Sequence, residues 1–325
     1  MADFTFLDGE RLIRFGGSAL ANAPRLLAER GFEDYVLLTT ERHGDRVPEL
    51  RDRAAVVLHV PSGGVPEGAA AVRGDVGGRP LVALGGGRVI DAAKAIAGAD
   101  DLPCAAIPTT LSGAPLTRIH RMPAGVEDWN LVRPSLVIAD PQLMASQPMP
   151  GLAGSAMNAL AHTTESLYVP LANPVAEGAA LRAAELFGSG LGEEEPRRDD
   201  LALAALLGSW AVGTTGYAFH HVVCQTIVRV GGTPHAETNA VMIPHTVRFA
   251  QPRAPERIGR LEAALGRPVA DLAARSGATR LGDLGFGPDG VDDVLDAASG
   301  RAELGNTPGG TPTRDELRAY IEAAL

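Results

Sequence analysis

The stretch PLVALGGGRVIDAAKAIAG, residues 80–98, joins an apolar run to three glycines, Gly85, Gly86 and Gly87, and then to a helical Ala/Ile pattern from Val89. A short apolar run that stops at glycines and restarts with helical periodicity is a strand–turn–helix unit. In a sheet with helices on its faces, the strands read as continuous apolar runs because both sides are covered. Outward from this unit the same rhythm recurs in YVLLTT (35–40) and AAVVLHV (54–60), and in CAAIPTT (104–110) and SLVIADP (135–141). The first half is therefore expected to be a parallel sheet with helices on its faces. From about Gly151 the pattern becomes long Ala/Leu-rich helical segments, which sets an expected division into an α/β domain, residues 1–150, and an all-helical domain, residues 151–325. The tract GEEEPRRDD (192–200) interrupts those helices and reads as a solvated loop.

Composition narrows the ligand class. With 325 residues and 45% hydrophobic content the chain can bury two cores, and a formal net charge of −10 argues against nucleic acid or anionic membrane as a partner. Aromatic residues make up 4%, too few for base-stacking platforms. The two cysteines, Cys104 and Cys224, lack metal-type spacing and fit a reducing cytoplasm. The N-terminal MADFTFLDGERLIRF has no signal-peptide pattern, and no apolar run approaches the roughly 20 residues that span a bilayer. A small-molecule ligand is expected.

The glycines let backbone N–H groups approach an anion, and the helix that follows adds unsatisfied donors and a partial positive charge, so Gly85–Gly87 form a candidate phosphate site. A tight turn without a ligand is the alternative. Asp91 and Lys94, three apart on that helix, either pair on its surface or help position a cofactor. IPTTLSG ends the next strand with Thr109, Thr110 and Ser112, whose hydroxyls either donate to a ligand or cap a helix. TTERH (39–43), with Thr40 and Arg42, is placed where an adenosine ribose or a 2′-phosphate would lie. Thr117 completes the candidate cofactor-binding set.

The second half carries Asn158 and His162 four apart in SAMNALAHTTESL, so both project from one helix face. His220, His221 and Gln225 follow on a second helix and His235 in GGTPHAET. Zinc or ferrous iron accepts three imidazoles, and the ligands would be His162, His221 and His235, but such sites normally add a carboxylate or thiolate. Asn158 is neutral, so a bound metal is not expected. Polarisation of a carbonyl substrate and proton transfer are the preferred use of these side chains.

Together these motifs resemble the iron-containing alcohol dehydrogenase superfamily, and within it the maleylacetate reductases. The resemblance runs from LIRFGGSAL through VALGGGRVIDAAKAIA, AIPTTLSG, VIADPQLMASQP, SAMNALAHTTESLY and HAETNAVMIPH to TPTRDELRAYIEAAL. It implies the dehydroquinate synthase-like fold, an α/β Rossmann-like nucleotide domain built on a parallel sheet followed by an all-helical domain, with the active site in the cleft between them, and commonly a dimer. Metal-dependent relatives hold an Asp and three His at the positions of Asn158, His162, His221 and His235. Maleylacetate reductases carry Asn first and are thought to act without metal, moving hydride from NADH or NADPH to an enone dicarboxylate.

Four departures fall on the cofactor-facing side: Arg88 replaces a serine, Gly113-Ala114-Pro115 replaces Gly-Ser-Glu, Gln225 stands where relatives place a histidine beside the nicotinamide, and Ile227-Val228-Arg229 follows it. The leading expectation is an NAD(P)H-dependent reductase with Asn158, His162, His221, His235 and Gln225 as catalytic residues. Arg118 or Arg229 would meet a substrate carboxylate. The rival is a non-redox cyclase, lyase or isomerase of the same fold in specialised metabolism, and a catalytically dead binding protein ranks last.

Overall fold

The computed structural model describes residues 3–44 and 46–325, with the side chains of Phe4, Leu7, Arg42 and His43 excepted, so the reading of Arg42 lies outside the described residues. The chain divides after Ser146 into two compact units, a few residues before the change expected near Gly151.

The first unit is built on a seven-stranded sheet in the order β1-β2-β7-β6-β5-β3-β4. Its strands are β1 (Phe4–Asp8), β2 (Arg11–Phe15), β3 (Val36–Thr39), β4 (Val56–His59), β5 (Leu81–Gly85), β6 (Cys104–Pro108) and β7 (Leu136–Ala139). β3, β5, β6 and β7 are buried at every residue, as continuous apolar runs require. Successive residues point to opposite faces. Val36, Leu38, Ala83 and Ala106 accordingly enter one core, and Leu37, Val82, Leu84, Ala105 and Ile107 enter the other.

All pairings from β2 to β4 across the sheet are parallel, but β1 and β2 form an antiparallel hairpin that the sequence reading missed. Its loop is Gly9-Glu10, and Gly9 has φ 63°, the positive value a two-residue hairpin turn demands. The expected all-parallel sheet is therefore mixed at one edge.

The helices of this unit are α1 (Ala23–Glu29), α2 (Glu41–Gly44), α3 (Pro48–Arg53), α4 (Val65–Arg73), α5 (Gly87–Asp100) and α6 (Pro141–Met144). α5 starts at the third glycine and buries Val89, Ile90, Ala92, Ala93 and Ile96. Small alanines let it lie close on the sheet.

The second unit is helical: α7 (Met149–Ser166), α8 (Pro174–Gly192), α9 (Arg198–Thr215), α10 (Phe219–Gly231), α11 (His235–Ala250), α12 (Pro255–Leu265), α13 (Val269–Ala274), α14 (Val291–Ala298) and α15 (Arg314–Glu322). α7 packs against α8, α9 and α11, and every residue from Leu152 to Ser166 is buried. A helix apolar on all sides is a core helix. The polar residues it does carry, Asn158, His162 and Glu165 among them, are therefore dearly held and call for a chemical reason. Of the acidic–basic tract, residues 193–197 form the α8–α9 loop, while Gly192 ends α8 and residues 198–200 start α9. Among the described residues no single helix is long and apolar enough to cross a membrane.

Candidate active site

In the α/β unit the candidate residues gather at the carboxyl ends of β3, β5 and β6. The chain runs outward from β3 to β4, returns to β5 and then moves the other way through β6, so the winding reverses between β3 and β5. Open α/β sheets bind ligands at this reversal. A cavity of about 570 Å³ lies there, lined by Thr40 and Glu41 after β3, by His59, Val60, Pro61 and Ser62 at the end of β4, and by Arg88 from the glycine turn.

The glycines have a packing role that the sequence did not reveal. A Cβ on Gly85 would meet Val89 at 2.7 Å, one on Gly86 would meet Thr110 at 3.1 Å, and one on Gly87 would meet Ser112 at 3.0 Å. The absent side chains of Gly86 and Gly87 thus seat the loop after β6 against the turn, and that of Gly85 leaves room for Val89 of α5. The hydroxyls of Thr109, Thr110 and Ser112 are buried without a protein partner, as is Nη1 of Arg88. Orphaned donors beside a glycine turn and a helix N-terminus suit phosphate and ribose oxygens. A dinucleotide cofactor therefore fits this unit.

Asp91 and Lys94 do not form a surface pair. Lys94 is fully buried, and its ammonium donates to Asp91 Oδ1 at 2.8 Å and to the carbonyls of Ala114 at 3.0 Å and Ile119 at 2.9 Å. Lys94 therefore fastens the 114–119 segment, which contains the buried Thr117, to α5. Arg11 adds a second tie by donating to Leu116 O at 3.0 Å. Arg118 donates to Leu131 O at 2.8 Å, so its guanidinium secures a loop.

His120 pins the same region. Its Nδ1 faces Arg121 O at 3.1 Å and its Nε2 accepts the Val132 N–H at 3.0 Å. Burial and the Lys94 charge push its pKa down to about 4. The unfolded imidazole takes up its proton near pH 6.5, so between pH 6.5 and 4 the unfolded state binds more protons. Stability contributed by His120 is whole above pH 6.5 and falls with acidification, by up to about 1.4 kcal/mol per pH unit. Urea midpoints between pH 7 and 4 are expected to fall less steeply in His120→Gln than in the natural chain; equal slopes would remove this role.

In the helical unit α7 and α10 bring Asn158, His162 and His221 together. The His162 and His221 rings stack with centroids 4.5 Å apart and planes within 9°. Asn158 Oδ1, His162 Nδ1 and His221 Nε2 are buried with no protein partner. Burial lowers the pKa of both imidazoles, His221 lowers His162 further, and His235 lowers both. His235, exposed at the start of α11, would through a proton of its own disfavour one on the pair. Gln225 lies one turn beyond His221 on α10 and is half-buried.

Behind the pair stands Glu165, which the sequence reading passed over. It is fully buried and accepts N–H groups from Ala218 at 3.0 Å and His220 at 2.9 Å, and it contacts His221 Nδ1 directly. Its signal was an acid three residues after His162 in an otherwise apolar helix. Burial raises its pKa to about 7, against the pull of the neighbouring N–H groups and His220.

His220 is a structural pin: Nε2 meets Asn239 Oδ1 at 2.9 Å and Nδ1 meets Thr246 Oγ1 at 2.5 Å. Tyr217 sets its ring edge against His221, centroids 5.7 Å apart. The cation of this region is Arg301, which donates to Tyr217 and Gln225; Arg229 sits exposed at the end of α10.

A transition metal does not suit this donor set. Imidazole lone pairs lie in the ring plane, and two stacked, near-parallel rings direct them along separate planes instead of toward one ion. The nearest carboxylate, Glu165, already spends its oxygens on α10 and His221 Nδ1. Among the described residues no group of three or more His, Cys, Asp or Glu is arranged to hold a metal ion.

A sheet with a nucleotide-type turn followed by a helical unit with a buried imidazole pair defines a class of NAD(P)-dependent oxidoreductases. The family model for "Iron-containing alcohol dehydrogenase" matches residues 14–148, and that for "Fe-containing alcohol dehydrogenase family, C-terminal" matches residues 152–325. The chain belongs to the iron-containing alcohol dehydrogenase family. It is 31% identical over 339 residues to maleylacetate reductase of Burkholderia cepacia, covering 95% of this chain and 94% of that one. It is 35% identical over 273 residues to maleylacetate reductase 2 of Cupriavidus pinatubonensis, covering 78% and 76%. Among solved structures, maleylacetate reductase from Agrobacterium tumefaciens superposes with a TM-score of 0.83 at 26% identity, covering 100% of this chain and 98% of that one.

Proposed function

We propose that this chain is an NAD(P)H-dependent reductase of a small enone dicarboxylate of the maleylacetate kind. The observation that carries the reading is the Glu165–His221 dyad, whose Nε2 is buried, open and stacked on His162. When bound, a reduced nicotinamide supplies hydride to the enone β-carbon, and the π electrons move onto the carbonyl oxygen.

The chain's own groups answer that charge. While the dyad carries no net charge, the proton between Nδ1 and the carboxylate can sit on either partner, and in both cases Nε2 bears hydrogen. His221 Nε2–H then donates to the developing enolate and gives up its proton, leaving a dyad of charge −1 stabilised by the N–H groups of Ala218 and His220. Asn158 and the His162 ring hold the same oxygen in a site dry enough for these dipoles to act strongly. The orphaned hydroxyls of Thr109, Thr110 and Ser112, with the glycine turn, hold the cofactor's phosphates and ribose. Thr40, near the cavity at the sheet's reversal, serves its adenosine end.

Titration of metal-analysed protein with NADH and NADPH, followed by loss of reduced-cofactor absorbance on adding maleylacetate, tests the reading. Saturable binding and turnover are expected; no binding at millimolar cofactor would turn the search to non-redox chemistry. A pH profile adds detail. The dyad loses its acidic proton as pH rises past about 7, so kcat is expected to fall on the alkaline side. Glu165→Gln should abolish that limb, and an unchanged profile would remove Glu165 from proton transfer. The proposal includes a cytoplasmic homodimer, supported by the resemblance and by two free, buried cysteines.

A further inference from the structure

Arg301 precedes a short 3₁₀ turn, Ala302–Asn306, and is clamped from several sides. Its Nε donates to Glu303 Oε2 at 3.1 Å, and its Nη2 donates to Glu303 Oε1 and to Tyr217 Oη, each at 2.9 Å. The Tyr217 hydroxyl donates to Glu303 Oε1 at 2.8 Å, and Asn306 Nδ2 donates to the Tyr217 carbonyl at 2.8 Å. The same Nη2 reaches the Gln225 side chain at 3.3 Å.

A guanidinium has donors and no acceptor, so the Gln225 atom facing it has to be the carbonyl oxygen. The amide's NH2 is thereby turned away from Arg301. Glu303 offsets the guanidinium charge, so the cluster supplies orientation more than field. It also keeps its protonation: Arg301 holds the Glu303 carboxyl down at about 2, and burial with Glu303 raises the Tyr217 hydroxyl well above neutrality.

We propose that Arg301 is a positioning residue that locks the Gln225 amide as a permanent hydrogen-bond donor one turn from His221, so that this position recognises a carboxylate or carbonyl oxygen of the ligand. An imidazole at that place either accepts or donates; the locked amide only donates. The assignment of that oxygen to substrate rests on the reductase reading, whereas the lock itself does not.

The chain has four glutamines, Gln142, Gln147, Gln225 and Gln251, which makes the lock visible by side-chain 15N spectroscopy. The Gln225 NH2 pair is identified by its loss in Gln225→Met, and maleate is the probe for an acceptor oxygen. In the natural chain maleate is expected to shift the Gln225 pair. Arg301→Met should move that pair in the free protein and weaken the maleate response, while Arg301→Lys keeps part of both. With maleylacetate and NADH, Arg301→Met and Gln225→Met should each raise KM by about 10- to 100-fold, the range of one hydrogen bond to a charged group, with little change in kcat. The double variant should be no worse than either single.

Gln225 resonances and KM that ignore Arg301→Met, or effects that multiply in the double variant, would overturn the lock. If the natural chain binds neither cofactor, the reductase reading fails and the spectra still decide the lock.

Discussion

His221→Asn should fold as the natural chain does and lose about 10²- to 10⁴-fold in kcat, the range of one positioned general acid. Asparagine keeps a hydrogen bond to Glu165 within reach, so the buried carboxylate is not abandoned, yet it has no titrating nitrogen at the place of Nε2. The loss should fall on kcat with reduced-cofactor affinity unchanged, because the hydroxyls of Thr109, Thr110 and Ser112, proposed to hold the cofactor, belong to the α/β unit. Steady-state kinetics with a calorimetric cofactor titration reads both. A loss below about fivefold would mean that another group delivers the proton.

Lys94→Met should cost about 3–5 kcal/mol, a large share of what a domain has to spare. Methionine fills most of the lysine stem's volume, so packing is not the issue. The removed ammonium leaves the carbonyls of Ala114 and Ile119 buried without their donor, at about 1–3 kcal/mol each. Asp91 suffers less because a quarter of its side chain reaches solvent. Hydrogen exchange should accelerate across residues 114–119, and cofactor affinity should fall with the loosened Thr117. Adding Asp91→Asn should restore part of the stability, since the carboxylate no longer seeks a cation. Exchange rates and urea midpoints equal to the natural chain's would show that Lys94 is not the fastener.

The core strands were legible because strands covered on both faces have no polar face: the runs at 35–40, 80–87, 104–110 and 135–141 each contain a strand. The β1–β2 hairpin was not, because Arg and Asp share its short strands and blur the apolar signal, although a glycine opening a two-residue loop, Gly9-Glu10, is a hairpin signal. At the candidate site, Asn158 and His162 could be read from helical spacing, and His221 from its histidine-bearing helix and the family resemblance. Glu165 was overlooked as one more acid, and its meaning appears only when α10 places two N–H groups and an imidazole on it. Arg301 stands 76 residues from Gln225, and no local pattern links them. Lys94 was misplaced for a related reason: spacing of three pairs it with Asp91 whether the helix face is wet or dry, and only the 114–119 segment makes that face dry.

The imidazole stack also sets a stoichiometry. Two cations 4.5 Å apart would repel by about 4 kcal/mol at an effective dielectric of 20, so the two rings do not both become imidazolium. Saturating a carbon–carbon double bond consumes one hydride and one proton. On the proposed reading the Glu165–His221 dyad delivers that one proton through Nε2 and stays at charge −1 until solvent returns one. Each cycle of the proposed reaction is thereby expected to be metered, with reloading from water as a step separate from reduction, and a solvent isotope effect confined to that step would be its signature.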